Sequence, residues 1–172
     1  MLSFTIKPKF CPYCGNPLIE KTENGNPRLF CQKCQVFIYR NPVPVVATVI
    51  SNEKGEILLI KRKVEPAKGK WALPSGFVEL NEEPEESAKR ELEEETGITV
   101  PNLILLNVFH QESKRYESVL VISYFGESNA TPAPGDDAEE ARFFKYEEAL
   151  SLIAFDSHKR AVIEASKFFK KP

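Results

Sequence analysis

Apolar residues fall in short runs along most of the chain, and only a few stretches repeat with a helical period. Residues 45–51 and 56–61 are rich in β-branched and aliphatic side chains and flank Asn52-Glu53-Lys54-Gly55, a hairpin signal. Residues 71–73 read as a further short strand, and Pro74-Ser75-Gly76 as a loop. A helix is then predicted from Pro84, which suits the first turn because its missing N–H is not needed there. Glu82, Glu83, Glu85 and Glu86 crowd that end, where the helix dipole favours negative charge. Ala88 and Leu92 supply an apolar stripe, and Thr96-Gly97 supplies the stop. Strands are expected at 103–110, 118–127 and 141–145, a loop at 131–137, and helices at 146–152 and 158–169. The order mixes strands and helices, so the body is expected to be α/β, a sheet with helices packed on it.

The first 40 residues do not share this patterning. They hold few aliphatic residues, several Pro- and Asn-Gly-containing turns, and all four cysteines of the chain. Short strands are expected near 28–30 and 36–39. Such a segment cannot bury a core of its own and needs a cross-link. The cysteines form two C-x-x-C pairs, Cys11/Cys14 and Cys31/Cys34. A secreted disulfide scaffold would spread cysteines along the chain; two clustered pairs read as a metal site. Four thiolates suit tetrahedral Zn²⁺ in a closed, structural site. Iron bound as in rubredoxin, or four ordinary thiols, are the alternatives. Residues 1–40 are therefore read as a zinc ribbon and 41–172 as the main domain, with Asn41-Pro42-Val43-Pro44 as an extended connector.

Length and charge narrow the classes. The 172 residues carry a net charge of −2, which offers no broad basic field for nucleic acid. The longest apolar runs, 43–50 and 119–125, are too short to cross a bilayer, and the N-terminus lacks the order of a secretory signal. A cytoplasmic location without membrane or nucleic-acid partners is expected.

The predicted helix carries the chemistry. Residues three and four apart share a helix face, so Glu91, Glu94 and Glu95 project together. Three like charges so close repel, and a cation relieves that cost. Mg²⁺ takes oxygen ligands and keeps waters for contact with phosphate. Arg90 can pair with Glu86 or Glu94, or with Glu82 in the preceding loop, and so orient them. A solvated acidic face is the bland alternative for any Glu-rich helix.

The flanking residues decide between these readings. Gly76, Glu82, Arg90, Glu91, Leu92, Glu94, Glu95, Gly97 and Ile98 fall at the spacing of the Nudix hydrolase signature, which this stretch resembles at every defined position. The resemblance covers about residues 43–165 and implies an α/β/α sandwich with a mixed sheet. It implies that Glu91 and Glu95 bind Mg²⁺ (or Mn²⁺), with Glu94 a ligand or base, and that the carbonyl of Ser75 is a further ligand. It also implies a carboxylate beyond the signature, for which Glu140 in Glu140-Ala141-Arg142-Phe143-Phe144 is the candidate and Glu139 the alternative. The catalytic set is then Glu94, Glu140, Arg90 and Glu82, with the base left open between Glu94 and Glu140.

The same resemblance implies hydrolysis of a diphosphate joining a nucleoside to another group. A ribbon before a Nudix domain resembles the NADH pyrophosphatases, but their Ser-Gln-Pro-Trp-type motif does not follow this signature. The connector after Cys34, the Leu73-Pro74-Ser75-Gly76-Phe77 approach and Ile153-Ala154-Phe155-Asp156-Ser157 resemble a ribbon-bearing group linked to ADP-ribose and FAD. The expected products are AMP and a phosphorylated partner, and a homodimer is expected from the family. Arg62, Phe77, Glu79, Phe109 and Tyr116 are candidate substrate contacts, although aromatics in strands more often serve the core. Competing readings are an NADH pyrophosphatase, a hydrolase of oxidised nucleoside triphosphates, and a non-catalytic nucleotide-binding regulator. His158 is expected to have no chemistry.

Overall fold

The computed structural model describes residues 7–169. They fall into two compact units: the chain up to Pro42 together with Glu112–Ser118, and Val43–Gln111 together with Val119 onward.

In the first unit, β1 (Ile19–Glu23), β2 (Asn26–Cys31) and β3 (Val36–Ile38) form an antiparallel sheet in that order. Glu23 pairs with Asn26 across Asn24-Gly25, both with positive φ, which is the backbone a two-residue hairpin turn requires. β1 is mostly charged and exposed, so no apolar alternation signalled it in the sequence. Among its described residues the buried apolar ones are Cys11, Phe30 and Cys31. That is far too small a core to hold a sheet unaided.

The second unit is built on a mixed sheet with main order β10-β5-β4-β9-β8. Its strands are β4 (Val43–Ser51), β5 (Ile57–Arg62), β8 (Ile104–Ser113), β9 (Glu117–Glu127) and β10 (Ala138–Phe144). Two short strands, β6 (Trp71–Ala72) and β7 (Ser75–Phe77), join it by pairing with β5 and β4. β4 lies parallel to β9 along its full length, from Val43 beside Val119 to Ser51 beside Glu127. Of the stretch expected as a loop at Pro74-Ser75-Gly76, the last two residues are strand: Ser75 and Gly76, followed by Phe77, pair with Ala47, Val46 and Val45.

Three helices complete the unit: α1 (Pro84–Thr96), α2 (Tyr146–Leu152) and α3 (Asp156–Ala165), the last ending in a 3₁₀ turn at Ser166–Phe168. α1 begins with Pro in its first turn and ends at Gly97 in the left-handed conformation, whose N–H donates to Glu93 O. Its Ala88 and Leu92 pack with Val46 and Ile50 of β4, Leu58 of β5 and Tyr124 of β9. Successive strand residues face opposite ways, so Ala47 and Val49, also buried, point away from α1. α3 contacts β4, and α2 contacts β5. Both faces of the sheet are therefore apolar, as an α/β sandwich requires.

Candidate active site and metal centres

The site is assembled where β7 runs past α1. Ser87 Oγ and Arg90 Nη2 both donate to the carbonyl of Phe77, fastening the helix to the strand. The Ser75 amide donates to Glu95 Oε2 at 2.8 Å. A Cβ placed on Gly76 would lie 2.0 Å from Glu91 Cδ, so only glycine lets the Glu91 carboxylate rest against this backbone. Glu91 and Glu95 thus converge on the Ser75–Gly76 backbone, although that backbone lies 15 to 20 positions before them in sequence.

Arg90 organises the remaining acids. Its Nε and Nη2 hold the two oxygens of Glu82 at 2.8 and 3.0 Å, a bidentate pair. Its Nη1 reaches Glu91 Oε1 at 2.7 Å and Glu94 Oε2 at 3.0 Å. Glu82 also accepts from the Glu79 amide. The Arg90 guanidinium, then the Glu79 amide, hold the Glu82 carboxyl down to about 2.

Glu95 behaves in the opposite way. It is only 2% exposed, and burial pushes its carboxyl up to about 8 against the pull of the Ser75 amide. Burial likewise raises Glu91, partly offset by Arg90. Buried carboxylates without a cation pay heavily in desolvation. Hard oxygen donors at such a point fit Mg²⁺ or Mn²⁺.

Two acids not singled out in the sequence lie near this cluster. The charges of Asp136 and Asp137 add to the upward pressure on Glu91 and Glu95 respectively. Their loop is laid on the end of α1 by backbone contacts: Ala133 N donates to Thr96 O and Gly135 N to Glu95 O. A Cβ on Gly135 would meet Glu94 O at 2.4 Å. Lys63 completes the clamp, its N–H donating to Asp137 O and its Nζ to Asp136 O. Gly135-Asp136-Asp137 in a Pro-rich loop was the available signal.

The other candidates divide. Glu140 is on β10, where Lys61 Nζ holds it at 2.9 Å and draws its carboxyl down; Glu139 lies 3.7 Å from the same Nζ. Arg62 Nε donates to Pro66 O, and its guanidinium stands 5.7 Å from the ring of Phe155. Phe77 is 39% exposed on β7. Phe109 is buried on β8 with the Arg160 guanidinium 4.3 Å from its ring. Tyr116 belongs to the first unit, with Arg115 at 5.2 Å. Glu79 is exposed.

In the first unit the four cysteine sulfurs lie within 4.8 Å of one another. Tetrahedral Zn–S bonds of about 2.3 Å place sulfurs roughly 3.8 Å apart, so the cage matches that ion. The knuckle donors aim at sulfur: Cys34 N at Cys31 Sγ and Asn16 Nδ2 at Cys14 Sγ. The Asn16 backbone and side chain together lower the Cys14 thiol to about 6. Cys34, sharing a proton with Cys14, is pushed up to about 12. A set that favours some thiolates but must share protons among the others is relieved by a cation.

Comparison with known proteins places the chain in a family. A family model of the NUDIX domain matches residues 41–166. The chain is 38% identical over 124 residues to an ADP-ribose pyrophosphatase of Methanocaldococcus jannaschii, covering 71% of this chain and 72% of that one. It is 29% identical over 159 residues to a NAD-capped RNA hydrolase NudC of Salmonella heidelberg, covering 91% of this chain and 59% of the NudC protein. It superposes on a NUDIX hydrolase from Nitrosomonas europaea with a TM-score of 0.72 and 28% identity, covering 94% of this chain and 93% of that one. The chain belongs to the Nudix hydrolase family. No helix among the described residues is long and apolar enough to cross a membrane.

Proposed function

We infer that this Nudix hydrolase cleaves the diphosphate of ADP-ribose, releasing AMP and ribose 5-phosphate. The observation that carries the reading is the convergence of Glu91 and buried Glu95 on the Ser75–Gly76 backbone. The likeness to the archaeal ADP-ribose pyrophosphatase supplies the substrate. FAD belongs to the same class. The likeness to NudC, which covers 91% of this chain, favours NAD-linked diphosphates as a second reading.

Glu91, Glu95 and the carbonyl of Ser75 would hold Mg²⁺ or Mn²⁺. Bound there, the cation neutralises phosphate oxygens and lowers the pKa of water. The protein does the rest. Arg90 spreads Glu82, Glu91 and Glu94 into fixed positions, so that little reorganisation is needed when substrate arrives. Glu94, the most exposed of the three signature-helix acids Glu91, Glu94 and Glu95, takes the proton from the attacking water. Water oxygen bonds to one phosphorus, the bridging P–O bond breaks, and its electron pair leaves with the second phosphate. Glu140 is the poorer base because Lys61 stabilises its charged form. Zn²⁺ closes the cysteine cage and holds the N-terminal unit together. The ribbon of residues 1–40, the catalytic domain of 41–172, a homodimer and a cytoplasmic location complete the proposal; the last two rest on the family resemblance.

Chromatography of products after incubation with Mg²⁺ and ADP-ribose, FAD, NADH or 8-oxo-dGTP tests it. AMP from ADP-ribose, lost on chelation, is expected. Inorganic diphosphate from the triphosphate, with ADP-ribose untouched, would overturn it. Among variants, Glu94→Gln should lower kcat by about 10²-fold or more and Glu140→Gln by much less. The reverse order would move the base to Glu140.

A further inference from the structure

The strand that carries Ser75 crosses between two partners, and the crossing leaves a backbone donor exposed to loss. At Trp71–Ala72 the chain pairs with β5, and at Ser75–Phe77 it pairs with β4. Between these ladders lie Leu73 and Pro74. Pro74 has no N–H, and its carbonyl accepts from Thr48 N at 2.9 Å. The Leu73 amide is fully buried and finds no strand partner; it donates instead to His158 Nδ1 at 3.2 Å.

His158 sits in the first turn of α3 and is itself 3% exposed. Its ring packs 5.0 Å from that of Phe155. The segment leading to it is tied to the same strand: Trp71 bridges Ile153, and Ala154 N donates to Trp71 O. Accepting at Nδ1 places the ring proton on Nε2 and requires the neutral imidazole. Burial enforces this, pushing the ring down to about 3. A buried amide left without an acceptor is costly, so the bond constrains where Leu73 can lie.

We propose that His158 is a positioning residue for the metal centre: through the Leu73 amide it fixes the two-residue crossing that sets the Ser75 amide on Glu95 and the Ser75 carbonyl towards the cation. This rests on the metal site inferred above. Only Pro74 separates the His158 contact at Leu73 from Ser75, and it is stiff, so displacement at Leu73 is carried to Ser75 rather than absorbed.

The test uses the zinc-loaded full chain. His158→Phe keeps the ring volume and removes the acceptor, whereas His158→Asn puts an oxygen where Nδ1 stands. For the Phe variant we expect Mn²⁺ binding, measured by calorimetry, weaker by about tenfold and kcat for ADP-ribose lower by about tenfold, with KM nearly unchanged. The Leu73 amide should lose protection from hydrogen exchange. The Asn variant should recover to within about threefold of wild type. Wild-type Mn²⁺ affinity and kcat in His158→Phe would overturn the proposal. So would an Asn variant as impaired as the Phe variant. If the Phe variant does not fold, His158→Gln, whose oxygen reaches the Nε2 rather than the Nδ1 position, takes its place with the same expectations. Failure of the underlying metal reading would show elsewhere, as wild-type turnover without added divalent cation or full activity in Glu95→Gln.

Discussion

The cysteine cage and the carboxylate helix are both places where like-charged ligands gather, and the fold treats them differently. In the cage, four sulfurs stand within 4.8 Å of one another and the nearby donors point at sulfur. On α1, by contrast, Arg90 holds Glu82, Glu91 and Glu94, and the Ser75 amide holds Glu95. The first arrangement suits an ion that stays and supplies folding energy. The second keeps its acids occupied by the protein, so that a hard cation and its substrate can come and go without the site collapsing or repelling itself.

That contrast can be broken at several points. The largest effect is expected from the cage. Cys31→Ala should lose zinc and the order of the N-terminal unit, since structural zinc is worth on the order of 10 kcal/mol. Zinc content and circular dichroism would show it, and an ordered, zinc-free variant would contradict the structural role. Glu95→Gln should keep zinc and fold but lower kcat by about 10³-fold. Gly76→Ala comes next, because its Cβ cannot coexist with the Glu91 carboxylate where it stands. A loss of about 10- to 100-fold in kcat, with a stability cost of about 1–3 kcal/mol, is expected in kinetics and thermal melts. An unaffected variant would mean that Glu91 does not work from this position.

The smallest expected effect is one of pH, and it sharpens the comparison. With the metal chelated, Glu95 has a folded pKa of about 8 against an ordinary 4.5. The folded state then binds the extra proton, so stability falls as pH rises from 4.5 through 8. The difference between wild type and Glu95→Gln in melting temperature should grow across that window and shrink when Mg²⁺ is restored. A difference flat with pH would mean that Glu95 stays ionised in the apo protein.

Much of this was legible in the sequence where it depended on spacing. The Pro84 start, the Ala88–Leu92 stripe and the Gly97 stop placed α1, and helical geometry put its acids on one face. The C-x-x-C pairs announced a shared site. What escaped was set by contacts distant in the chain. β7 hid behind Pro74-Ser75-Gly76, which reads as a turn until β4 is there to pair with it. α3 starts at Asp156 rather than at His158, because Phe155 caps it without a side-chain hydrogen bond. Asp136 and Asp137 reach the cluster through a loop folded back on carbonyls at the end of α1, which no local pattern encodes. The contact between His158 and the Leu73 amide is hidden for the same reason: the two lie 85 residues apart.

The two sites call for two metals with separate duties, zinc to hold the N-terminal unit and Mg²⁺ to support the hydrolysis. The direct measurement is metal content alongside ADP-ribose hydrolysis, after dialysis against a chelator mild enough to spare tetrathiolate zinc. One zinc retained per chain, no turnover, and full recovery on adding Mg²⁺ alone are expected. Turnover that persists without Mg²⁺, or that returns only with zinc, would contradict that division of duties.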